Sequence, residues 1–237
     1  AHGAGTVKRI DAHRLETIPQ TDWRRKCFID PELDELVAEA QTVEELNKIV
    51  ADYLSDVSSY PETITSTAQA SASGAFGGLS LKFRLGGGDA GHSNVQFVGF
   101  VVAVPLMRVE EMKLIEAEAA GMQDEGRGKT LLEAFAKTRD PQYTYNDLQS
   151  FRDNVWWQRR VELWGEGFAT FDIKRFEKGI TRSYAGTNHP KGYRWNTDGV
   201  PDWMNLCIVG TEVNFNQACT NNPTPIQPTE DSPEKVW

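Results

Sequence analysis

The chain has 237 residues, enough for one domain or two small ones with a sizeable core. Its 34 acids outweigh 25 bases, giving a net charge of −9, and the bases do not pile into one run, so the footprint of a nucleic-acid surface is missing. No stretch approaches the ~20 apolar residues that span a bilayer; 99–107 (GFVVAVPLM) is too short, and Pro105 interrupts it. Cys27, Cys207 and Cys219 cannot all pair within the chain, and none belongs to a metal-type C-x-x-C pair. Cys207 and Cys219 could bridge; buried or surface thiols are the simpler account. The four histidines lie at no metal-ligand spacing, so neither a metal nor a cofactor is expected. The opening AHGAGTVKRI lacks an initiator Met, a signal peptide and a lipobox cysteine, and reads as a processed chain or a fragment.

In chain order, Asp22 suggests the cap of an exposed turn at Trp23, Arg24 and Arg25; an anion clamp from the two arginines is the alternative. A helical pair follows. Asp30-Pro31-Glu32 is an N-terminal signature, and Thr42-Val43-Glu44-Glu45 is a capping box. The segment 55–78 reads as a long loop, 79–84 (LSLKFR) as a short strand, and 86–88 (GGG) as a turn before 95–104. The glycine run lacks the Lys-Ser/Thr of a phosphate loop.

Pro105 is expected to open a strong helix with Leu106, Val109, Met112, Ile115 and Ala119 on its inward stripe, widened by Leu114 and Ala117. A turn at 121–128 leads to a second helix, 129–139, with Leu131, Leu132, Phe135 and Ala136 inward. Asn146 or Asp147 should cap a third helix running through Trp164, broken by Gly165 and Gly167. A fourth, 168–178, should end at Gly179.

The segment 155–176 organises the chain. It threads Arg159, Arg160, Glu162, Glu166, Asp172, Lys174 and Arg175 between Trp156, Trp157, Val161, Leu163, Trp164, Phe168, Phe171, Ile173 and Phe176. Charges held against apolar surface must be paired. Arg159 or Arg160 is therefore expected to meet a carboxylate from Glu110, Glu111, Glu162, Glu166 or Asp172. Trp156, Trp157, Val161 and Trp164 exceed what one apolar stripe requires, which predicts an apolar patch or a covering neighbour.

This segment carries a resemblance. The run RRVELWGEGFATFDIKRFEKGI resembles the C-terminal signature of the SusD/RagB family through Arg159, Arg160, Glu162, Leu163, Trp164, Gly165, Glu166, Gly167, Asp172, Lys174 and Arg175. LMRVEEMKLIEAEA resembles its second strong motif through Arg108, Glu111, Leu114, Glu116, Ala117, Glu118 and Ala119. Asp22 to Arg24, Lys82 with Phe83, and Glu212, Asn214, Asn216, Asn222 and Pro223 resemble weaker segments; Ile208-Val209-Gly210 stands where the family has prolines.

The resemblance implies a mostly α, SusD-like fold of tetratricopeptide-type helical hairpins with long loops and a few short strands. It divides the chain into a loop-rich middle segment, 1–104, and a helical segment with a closing tail, 105–237. The chain would be about the latter half of a member whose missing N-terminal half carries the lipidated cysteine. It also implies a surface-exposed outer-membrane lipoprotein that binds a glycan or oligosaccharide and partners a SusC-like TonB-dependent transporter.

Three readings follow: a non-catalytic glycan binder, a helical-repeat protein-interaction scaffold without a small ligand, and a glycoside hydrolase. The hydrolase needs two carboxyls flanking a bond, whereas the acids here sit in helix-packing motifs. No Gly-x-Ser-x-Gly elbow is present. For a sugar site, exposed aromatics give a platform and polar neighbours reach hydroxyls. Tyr193, Trp195 and Trp203 suit the platform, with Asn196 and Asp198 at its edge; loop anchoring is the competing role. Were the segment extended, Tyr193 and Trp195 would face one side. Arg108, Glu111, Arg159, Arg160, Glu162, Glu166, Asp172 and Arg175 are expected to form a structural ion-pair network.

Overall fold

The computed structural model describes residues 10–28, 42, 44, 45, 48, 80, 82, 106–189, 191–201, 204–206 and 208–222. Most of the expected pair of helices, the loop 55–78, the strands, the glycine run, Trp203, Cys207, Pro223 and the tail beyond it lie outside these residues. The described residues are mostly helical and contain no sheet, only the antiparallel bridges Phe28 to Ser80 and Thr181 to Asn196. The chain forms two compact units, Ala1–Val161 and Glu162–Trp237.

In the first unit, α1 (Ala12–Glu16) starts where Arg14 N–H donates to Asp11 Oδ1 at 2.9 Å. It ends where the Thr17 hydroxyl donates to the Arg14 carbonyl at 2.7 Å. Ile10, Leu15 and Ile18 are buried beneath it. A 3-10 turn, Trp23–Cys27, is capped by Asp22 as expected, but it is buried rather than exposed. The described part of the Thr42 capping box forms: Thr42 N–H donates to Glu45 Oε2, and Glu45 N–H donates to Thr42 Oγ1.

The helices α2 (Val109–Gln123) and α3 (Glu125–Lys137) pack as an αα-hairpin. Three details differ from the sequence reading. The first helix begins at Val109, not at Pro105. The expected turn at 121–128 shrinks to Asp124, whose carboxylate accepts from Gly126 and Arg127 N–H. Gly121 and Gly128 are not breakers: a Cβ on Gly128 would run into the backbone of Gly121, and one on Gly121 into the Phe151 ring. Their missing side chains let the helices approach closely.

The buried face of α2 is Glu111, Leu114, Ala117 and Ala120, meeting Leu132, Phe135 and Ala136 among the core residues of the hairpin. Leu106, Val109, Met112, Ile115 and Ala119, all expected inward, face solvent together with Met122. Apolar residues occupy both faces of α2, so periodicity alone could not choose one.

The helix α4 (Phe151–Glu162) is capped by Ser150, not by Asn146 or Asp147. Asp153 N–H donates to Ser150 Oγ, and that hydroxyl donates to the Asp153 carboxylate at 2.7 Å. Asn146 instead holds its own turn by accepting from Leu148 N–H. Phe151, Val155 and Val161 are buried, while Trp156 and Trp157 are half-buried. Each fully buried side chain of this size contributes roughly 1.5–3 kcal/mol.

In the second unit, Gly165 and Gly167 adopt φ of 76° and 91°, the left-handed geometry that breaks the helical run as expected. The helix α5 (Ala169–Phe176) buries Asp172, Ile173 and Phe176. It is closed by Glu177 at φ 56°, with Lys178 N–H donating to Ile173 O; the left-handed cap is therefore Glu177 and not Gly179. Gly179 is needed for another reason, because its backbone abuts the Thr197 carbonyl. The tail forms a short helix, α6 (Gly210–Phe215). Asn221 accepts from Ile208 N–H and donates to Ile208 O, and Asn222 donates to Leu206 O.

Candidate functional site

The segment 180–199 is a folded-back loop. Thr197 N–H donates to Ile180 O at 2.8 Å, Arg182 N–H donates to Trp195 O at 3.1 Å, and Ile180 N–H donates to Thr197 Oγ1 at 2.9 Å. Asn196 Oδ1 accepts from Arg182 and Ser183 N–H, each at 3.0 Å, and its Nδ2 donates to Ser183 O. Its amide is thus a brace for the turn. Arg194 Nε donates to His189 O at 2.8 Å, and Thr187 Oγ1 donates to Arg182 O.

The two expected platform rings separate. Trp195 is only 8 % exposed, with the Arg182 guanidinium 4.4 Å from its ring centroid. Tyr193 is 61 % exposed and ends the 3-10 turn Lys191–Tyr193. The period-two rule applies to extended chain, and this turn breaks it. The loop therefore offers solvent one ring rather than two. Asp198 is exposed on the bend beyond Trp195, and Trp203 lies outside the described residues.

The charged residues form several local pairs. Glu110 accepts from Arg139 at 3.2 Å and pairs with Arg108 at the same distance. The Arg139 guanidinium also lies 5.4 Å from the Trp23 ring and 5.0 Å from the Phe135 ring, while Trp23 N–H donates to Arg139 O. Asp172 pairs with Arg175 at 2.8 Å in the second unit. Glu111, Arg159 and Glu162 are buried, Glu166 is half-buried, and Arg160 sits 5.2 Å from the Trp156 ring.

A buried polar assembly in the first unit has little sequence signal beyond Asp-x-Arg. Asp22 accepts from Arg24 N–H, Nε and Nη2, the last at 2.6 Å, while Arg24 stacks over Trp157. Arg25 Nη1 donates to the carbonyls of Leu15 and Ile18 at 2.6 and 2.9 Å, closing the end of α1. Trp157 Nε1 donates to Thr17 Oγ1. Burial, and after it the charge of Arg160, pulls the Arg14 guanidinium down to about 10, with Asp11 opposing. Burial also raises the Tyr143 hydroxyl above its ordinary value. The amide of the enclosed Gln158 faces that hydroxyl and opposes the rise, although the contact falls outside full hydrogen-bond geometry. In these contacts the donors of Arg24 and Arg25 point at a buried carboxylate and at backbone carbonyls, with the Trp157 indole beneath the Arg24 guanidinium.

Among the described residues, no group of three His, Cys, Asp or Glu side chains could hold a metal ion. Cys27 is buried and Cys219 half-buried, and neither is held in a disulfide. No described helix is long and apolar enough to cross a membrane. No curated protein and no solved structure matches the chain. A model of the SusD family matches residues 19–230. Proteins of that family are generally non-catalytic, bind glycans for nutrient uptake, work with SusC-like transporters, and are lipoproteins associated with the outer membrane. The match spans both units, from before the buried Asp22–Arg24 pair to beyond the asparagine clamps of the tail, and the chain belongs to the SusD family.

Proposed function

We propose that this protein binds a glycan or oligosaccharide without chemistry and passes it to a SusC-like TonB-dependent transporter, as a lipid-anchored protein at the cell surface. The observation that carries this reading is the SusD family match over residues 19–230. In this reading the binding loop is 191–198, within the helical segment 105–237. Tyr193 supplies an exposed ring, against which a sugar's apolar face can stack. Asp198 supplies a hydroxyl acceptor nearby in sequence. Trp195 and Asn196 hold the loop in shape, and Trp203 is kept as a further candidate ring.

Calorimetric titration with a panel of neutral and acidic oligosaccharides tests the reading. Tyr193→Ala should weaken the best ligand about tenfold, equivalent to ~1.4 kcal/mol, with an unchanged melt. Trp195→Ala should instead lower stability by roughly 3–5 kcal/mol. Unchanged affinity in Tyr193→Ala removes that ring from the site. A folded parent chain that retains no sugar, or that releases reducing sugar, overturns the function.

A further inference from the structure

We draw no further inference here: the strongest candidate, the outward apolar face of α2 at Val109, Met112, Ile115 and Met122, carries nothing because nothing in the structure shows what covers it.

Discussion

Asp22 has almost no contact with water, and its carboxylate takes three N–H groups of one arginine. Desolvating both charges is expensive, and their close geometry offsets that penalty only while both are present. Asp22→Ala would leave the Arg24 guanidinium buried beside Trp157 without its carboxylate. The expected loss is about 3–5 kcal/mol, read from the urea midpoint. A loss below about 1 kcal/mol would mean that the pair is open to solvent. Tyr143 gives a pH signature. Its folded pKa is raised, so the folded state holds the phenolic proton more tightly than the unfolded chain. The resulting stability is complete below the unfolded value near pH 10 and is lost as pH rises through the folded one. Tyr143→Phe should therefore flatten the fall in stability above about pH 10, measured by urea melts across that range. Arg14 acts in the opposite direction: the penalty for its buried charge fades as pH rises above about 10. It is present in both chains, so the comparison isolates Tyr143, and parallel profiles would refute the assignment.

At the scale of the element, the α2–α3 hairpin sets helix propensity against packing. Glycine in a helix interior is worse than alanine by about 1 kcal/mol, so propensity alone says that Gly→Ala should stabilise. At Gly126 the added Cβ would meet only the Asp124 carboxylate, at 3.3 Å, and propensity should win. At Gly128 it would collide with the backbone of Gly121. Overpacking of this kind costs roughly 1–3 kcal/mol, exceeding the propensity gain. Gly128→Ala should lower the melting temperature and Gly126→Ala should raise it slightly. A stabilised Gly128→Ala would show that the helices do not approach as closely as their backbones indicate. The short connection depends on Asp124, which satisfies two N–H groups at the start of α3 while its own N–H donates to Ala120 O at the end of α2.

At the scale of the whole molecule, the outward face of α2, an element of the first unit, is exposed. Met122 is 82 % exposed and Val109 64 %, while Met112 and Ile115 connect them along the helix. Aligned apolar side chains of this extent bind hydrophobic dyes. The chain should therefore raise anilinonaphthalene fluorescence in its folded state. Met112→Lys combined with Ile115→Lys should suppress the signal with a stability change within about 0.5 kcal/mol, since neither side chain is buried. A parent chain that binds no dye would sink this prediction. The double variant unfolding would place the face inside a core.

The sequence by itself determined the family, the helical class, the Asp22 and Thr42 caps, and the helix break at Gly165 and Gly167. Each of these depends on local chemistry: a side-chain acceptor beside free N–H groups, a residue tolerant of positive φ, or an ordered motif. Tertiary structure decided which face of α2 is buried, because apolar residues lie on both and only the close approach at Gly121 and Gly128 selects one. It also decided that Ser150 caps α4 and that Glu177 takes the left-handed position, choices left open by several suitable polar residues close together in the chain. In the candidate site, Tyr193 and Trp195 are equivalent as aromatic residues two positions apart. The 3-10 turn and the Asn196 brace make one an exposed ring and the other an anchor. The brace joins residues more than ten positions apart, a separation that no local periodicity encodes.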